Sequence, residues 1–348
     1  MLTIRLAKLE NFVDFPKKDT VFWLSRFLFP SLRFQMHFDM KLKFLSLAAG
    51  MLLTVSAAAQ DNTLALPWSR IDHNPVTLGT ATAGYADLGA AAWASFRNPA
   101  VLGLAPVTLD AAASWAGWMP SSDEGMLSHI NAGAAYRFGK MGFALGASYM
   151  PGKEYEVFTL TGDSQGSFTP KDLQLNAGFG YEILEDLSVG ANVRYLKQTL
   201  TKDNAYTSFA GDIAAIYRIG DITTSLGLSN IGTSVEAADG TKFDIPTSLT
   251  IGSTWDAELA ENHGLKASID ADYFFSGDCT AVLGAQYAFK KMIFVRAGYH
   301  VATDNAVLPS FLTVGLGASY AGFSFDAAYI TANDALGNSF CLGLRYSF

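Results

Sequence analysis

Imidazole is the commonest biological base and metal ligand, so the histidines are the first residues to weigh. They stand at His37, His73, His129, His263 and His300, and no two share an HxxxH or HxH spacing or sit beside either cysteine, Cys279 or Cys341. A zinc site needs such a cluster; neither a metal nor another cofactor is expected. Gly162, Asp163 and Ser164 form a GDS triplet, but in a long polar linker, without the strand–turn–helix frame that presents a nucleophile. The run GLGASYAG over 315–322 is glycine alternating within a strand, where a phosphate loop needs a helix to follow. No catalytic set emerges, and the chain reads as a non-enzyme. What remains is a set of charges set among small and polar residues: Glu182, Arg194, Asp212, Arg218, Asp270, Asp272, Arg296, Asp326 and Arg345. Both signs occur, which favours ion pairs joining a wall to something packed against it over a substrate path.

The elements that carry those charges have a period of two. In LQLNAGFGYEI (173–183), Leu173, Leu175, Ala177, Phe179, Tyr181 and Ile183 alternate with Gln174, Asn176, Gly178, Gly180 and Glu182. The stretches 187–195 and 265–275 behave alike, and the same alternation is expected at 107–118, 127–138, 141–150, 206–218, 221–230, 247–255, 280–289, 293–300, 310–320, 323–331 and 338–348. Such runs are strands with one apolar face, about fourteen of them. Two-residue links at 139–140, 185–186, 220–221 and 321–322 contrast with long ones such as 151–172. This is the plan of an all-β, up-and-down antiparallel barrel spanning a membrane. Lipid offers the backbone no partners, so a closed sheet is required and its apolar faces point outward. Aromatic residues near strand ends, among them Tyr136, Tyr181, Trp255 and Tyr346, suit the two interfaces. The competing fold is a large secreted β-sandwich or solenoid, which has no need of so many strands of similar length.

Composition agrees. Of 348 residues, 50% are hydrophobic and only 16% charged, against roughly 25% in soluble domains. Residues 40–59 carry Lys41 and Lys43, an apolar core and a run of three alanines, the pattern of a cleaved export signal. Residues 1–39 upstream of it read as a misassigned translation start. Beyond residue 59 the chain has 16 Lys+Arg against 28 Asp+Glu; an acidic chain without basic clusters is no nucleic-acid binder. Cys279 and Cys341 are read as unpaired thiols.

Residues 60–106 lack alternation and are rich in Ala and Gly. A helix is expected over 86–96, stopped at Asn98 because the residue before a proline is driven out of the helical region. A fourteen-stranded lumen is too wide for wall side chains alone to fill, so this segment is expected inside it as a plug, with the barrel over 107–348. The stretch GYADLGAAAWASFRNPAVLGL (84–104), with Asp87 at the acidic position and the triplet Asn98, Pro99, Ala100, resembles the plug signature of the FadL superfamily and, closer still, of its PorV/PorQ branch. The closing hairpins over 308–348, with Leu336 to Asn338, resemble that branch too. The resemblance implies an outer-membrane protein of a Gram-negative bacterium with outer-membrane lipid around it. It implies a part in type IX secretion or surface attachment, with secretion-system or cargo proteins as partners. The alternative it carries is passive FadL-like transport of a small hydrophobic molecule.

The chain ends NSFCLGLRYSF, with Phe348 on the apolar face, and this terminal aromatic resembles the signal read by the barrel-assembly machinery. Deleting Phe348 is expected to lower the amount of heat-modifiable barrel in membranes without reducing export; unchanged assembly on gel-shift analysis would count against that role.

Overall fold

The computed structural model describes residues 64–348 apart from 121–124, 159–160, 203, 238, 305, 332–335 and 337. The expected upstream extension and export signal lie outside the described residues. Fourteen strands among the described residues close into one antiparallel barrel. They are β1 (Leu109–Trp118), β2 (Leu127–Phe138), β3 (Met141–Pro151), β4 (Lys171–Leu184), β5 (Leu187–Thr199), β6 (Ala205–Ile219) and β7 (Ile222–Gly232), then β8 (Ser248–Ala260), β9 (His263–Phe274), β10 (Cys279–Phe289), β11 (Ile293–Ala302), β12 (Phe311–Tyr320), β13 (Phe323–Thr331) and β14 (Phe340–Ser347). Each strand pairs with its sequence neighbours, and β1 pairs with β14 from Asp110↔Ser347 to Gly117↔Phe340, so the ring has no edge. The largest departure from the expected boundaries is β8, which runs five residues past 255. Its alternation continues there, and residues up to Ala260 are needed as partners for the start of β9.

The two ends differ. Tight links at 139–140, 185–186, 220–221, 261–262, 290–292 and 321–322 lie at one end, with the start of β1 and the carboxyl terminus. All the longer connections lie at the other, two of them carrying small hairpins of their own, Tyr155–Phe158 with Ser164–Phe168 and Val235–Glu236 with Lys242–Phe243. The outward face is apolar along its whole height; Val193 is 66% exposed, Leu145 68% and Leu344 64%. A continuous belt of this kind is unstable in water and is the expected surface toward lipid. Inward positions are small or polar and buried, as with Gln174, Ser188, Asn192 and Thr313.

The segment before β1 fills the lumen. It enters at the long-loop end, where the Ala65 N–H donates to the Asp244 carbonyl at 2.9 Å, and leaves at the short-turn end, where Arg137 Nη1 donates to the Ala105 carbonyl at 2.8 Å. On the way it forms only short turns of helix: Pro67–Arg70, Pro75–Leu78, Ala91–Phe96 and Val101–Leu104. The helix expected over 86–96 is therefore a six-residue 3-10 turn beginning at Ala91. Side chains take donors a longer helix would have used: the Ala92 N–H donates to Asp110 Oδ2 of the wall at 2.8 Å, and the Gly89 N–H to Asp87 Oδ1 of the plug itself at 2.9 Å.

Two wall glycines explain how closely the plug sits. A Cβ on Gly133 of β2 would strike the Ala92 carbonyl, and one on Gly190 of β5 would strike the peptide joining Pro99 to Ala100. Two apolar clusters hold the segment lengthwise. One, with Leu66, Trp68, Ile71, Phe311 and Ile330, lies toward the long loops; the other, with Ala100, Val101, Leu102, Leu104 and Ile216, lies toward the short turns.

Because Val193 lies mid-strand on the outward face, Val193→Arg is expected to cost about 2–4 kcal/mol in reversible unfolding from lipid vesicles. A loss within error of zero would mean that this face does not meet the hydrocarbon.

Candidate functional site

The site candidate is the polar lumen where plug and wall meet. Its charges are arranged in pairs. On β9, Asp270 is 2% exposed and accepts the Gly84 and Tyr85 N–H groups, both at 2.8 Å, and Arg97 Nη2 at 3.0 Å. Arg97 reaches Asp72 Oδ2 at 3.2 Å with its other terminal nitrogen and also donates to the Thr82 carbonyl. Asp272, one step along β9, accepts Arg70 at 3.2 Å and the Thr280 hydroxyl at 3.1 Å, and the Thr250 hydroxyl also donates to it. Lys266, still on β9, donates to Asp87 Oδ1 at 2.7 Å. One strand thus presents three charged side chains to three opposite charges of the plug.

The remaining charges mostly join wall to wall. Arg194 of β5 is paired with Asp212 of β6, and its guanidinium also donates to the plug carbonyl of Phe96 at 2.6 Å. Asp212 lies where the β6–β7 ladder shifts register, and there its carboxylate accepts the Asn230 N–H at 2.7 Å in place of a backbone carbonyl. Arg296 pairs with Asp326 at 2.7 Å, Arg345 with Asp110 at 2.5 Å, and Arg137 with Glu182 at 3.0 Å. Arg218 is placed differently. It shares the inward face of β6 but lies at its short-turn rim, with a side chain 45% exposed, paired with Asp186 of the neighbouring turn. Of the nine charges read from alternation, Asp270, Asp272 and Arg194 hydrogen-bond to the plug.

The plug triplet has a defined geometry. Asn98 is 3% exposed; its Nδ2 donates to the Tyr85 carbonyl at 2.6 Å and to Ser225 Oγ of β7 at 2.8 Å, and its Oδ1 accepts the Ala100 N–H at 3.1 Å. Pro99 and Ala100 pack on wall glycines of β4 and β5. Phe348 lies apart from all of this: the residue is 76% exposed, and its carbonyl accepts the Thr108 and Leu109 N–H groups at 2.8 Å.

Between the plug and the long-loop half of the wall lies a cavity of about 90 Å³. Ser69, His73, Trp93 and Phe96 of the plug border it, with Phe274 of β9, His300 of β11, and Val307 and Leu308 of the following loop. Asp87, Asn98, Arg194 and Asp272 border it too; Glu182, Arg218, Arg296, Asp326 and Arg345 do not. Among the described residues no three His, Cys, Asp or Glu side chains are grouped to hold a metal, and Cys279 and Cys341 are unpaired. Lys266 falls on the polar face in the alternation of 265–275 but was not among the candidate charges, nor was Asp110, although both are inward in phase. Arg70, Asp72, His73 and Arg97 carried no periodic signal at all.

No protein-family model matches the chain, and no curated protein does. Solved structures do. The toluene transporter TbuX of Ralstonia pickettii superposes with a TM-score of 0.56 at 14% identity, over 79% of this chain and 97% of that one. The monoaromatic hydrocarbon channel CymD gives 0.57 at 14% identity, over 79% and 97%. The toluene transporter TodX of Pseudomonas putida gives 0.56 at 14%, again over 79% and 97%. At such identities the likeness is one of fold, a fourteen-stranded barrel.

Asp270→Ala removes an acceptor shared by Arg97 and two backbone N–H groups. A broken buried pair of this kind costs about 3–5 kcal/mol, so amide hydrogen exchange over residues 84–98 is expected to rise about a hundredfold or more, with β2 to β5 still protected. Unchanged exchange would mean that Asp270 does not hold the plug.

Proposed function

We propose that this protein is an outer-membrane channel for passive passage of small hydrophobic molecules. One observation carries the reading. The lumen holds a segment tied to the wall by hydrogen bonds and ion pairs, and between the two lies a partly open cavity whose largely polar border also carries Trp93, Phe96, Phe274 and Leu308. A rigid structural barrel has no need of such a space. The fold likeness to transporters of toluene and other monoaromatic hydrocarbons supports the same reading. Short turns would face the periplasm and the longer loops the outside, which puts the cavity on the side where a molecule arrives. Passage needs no reaction, and the plug is tied to the wall by hydrogen bonds and ion pairs that can re-form, so a local shift of the segment would open a route without breaking the barrel.

A place in type IX secretion rests on the resemblance of residues 84–104 and 308–348 alone. None of the structures named above belongs to the PorV/PorQ branch, and no observation in the lumen calls for a protein partner.

Reconstituted vesicles give the test. Protein-containing vesicles are expected to take up toluene faster than empty ones. The plug can then be locked: a Cβ on Gly178 would stand 3.3 Å from Ser95 Cβ, close to disulfide geometry. With Cys279 and Cys341 replaced by Ser, the Ser95→Cys/Gly178→Cys pair is expected to slow uptake when oxidised and to recover on reduction. Equal uptake with and without protein would overturn the channel reading; full uptake through a verified cross-link would overturn the plug's movement.

A further inference from the structure

We propose that the cavity selects a neutral aromatic molecule carrying one hydrogen-bonding group, such as a phenol or an aromatic alcohol, over both a hydrocarbon and a carboxylate. The inference rests on the channel reading and narrows its substrate class.

Three residues on the cavity border each carry a buried polar atom without a hydrogen-bond partner, Ser69 Oγ, His73 Nε2 and Tyr85 Oη; the residues are 4%, 3% and 2% exposed. Buried polar groups are nearly always partnered, and each one left unpaired costs about 1–3 kcal/mol. A hydrocarbon in the cavity would leave all three in that state. A hydroxyl both donates and accepts, so it can partner atoms of this set. The aromatic body of such a ligand has its own surfaces. Phe96, stacked on His73 with ring centroids 4.3 Å apart, and Trp93, 5.8 Å from Phe96, flank the same space.

The charge count argues against an anion. Arg70, Arg97 and Arg194 on the border are matched by Asp72, Asp87 and Asp272. Each guanidinium is already engaged, Arg70 with Asp272, Arg97 with Asp72 and Asp270, and Arg194 with Asp212. A carboxylate entering this site would lose its water and gain no uncommitted cation. Size also limits the choice. About 90 Å³ is well below the roughly 300 Å³ at which pockets take drug-sized ligands, so the site suits one ring and not a long acyl chain.

The experiment measures binding and flux side by side. Purified protein is titrated with phenol, toluene and benzoate at equal aqueous activity, following tryptophan fluorescence and heat, and the same three probes are used for vesicle uptake. Phenol is expected to bind at least tenfold more tightly than toluene or benzoate. Ser69→Ala is expected to shrink that preference several-fold and to leave toluene unchanged or tighter. His73→Phe keeps the ring stack while removing the nitrogen and is expected to do the same. Toluene binding as tightly as phenol while flux persists would overturn this inference and leave the channel standing. Benzoate preferred would overturn it equally. Phenol preference without flux of any probe would sustain the site and overturn the channel.

Discussion

Everything in this molecule follows from one constraint: a peptide group in hydrocarbon has only other peptide groups to bond. The ladder must therefore run unbroken from β1 through β13 to β14 and back to β1. The one shift of register within the interior of the wall, between β6 and β7, shows how strictly this holds. Where the ladder slips, Asp212 turns its carboxylate onto the Asn230 N–H, and Asn192 and Arg194 complete its shell. A side chain substitutes for the missing carbonyl, and a buried countercharge makes that substitution tolerable.

Closing the sheet creates the opposite problem inside. A ring of fourteen strands leaves a space that side chains cannot reach across, and the chain fills it with its own backbone. Backbone is polar, so it must be partnered in turn. The wall supplies acceptors for plug N–H groups through Asp270 and Asp110, and a donor for a plug carbonyl through Arg194. Glycines on the wall let the plug approach until those bonds are short. Ion pairs, small wall residues and a largely non-helical plug are thus answers to a single requirement, and the cavity is the part of the lumen that this packing leaves open.

What could be read from the sequence divides along the same line. The wall was legible because alternation is imposed residue by residue by the difference between lipid and lumen; strands, tight turns and the inward charges came from that pattern. Arg218 shows its limit, since parity gives a face but not a height, and this residue lies at the rim. The plug was legible as a segment that must lie in the lumen, but its path there was not. Its helix was overestimated because Ala91 to Phe96 have helical composition, while the Ala92 N–H is taken by the Asp110 carboxylate and the backbone lies close against β2. His73, Arg70 and Arg97 gained their roles only when a chain without period was laid against a wall with one.

The path of the plug also sets an order of events. The segment that leads into β1 runs the full height of the lumen, and β1 is also the strand that meets β14, the last to be made. The seam between first and last strands can zip only around a filling already in place, or else the leading segment must be threaded afterward through a finished hoop. Curling the sheet about its own beginning avoids that threading, so in this chain packing the inside and sealing the outside are one act of assembly.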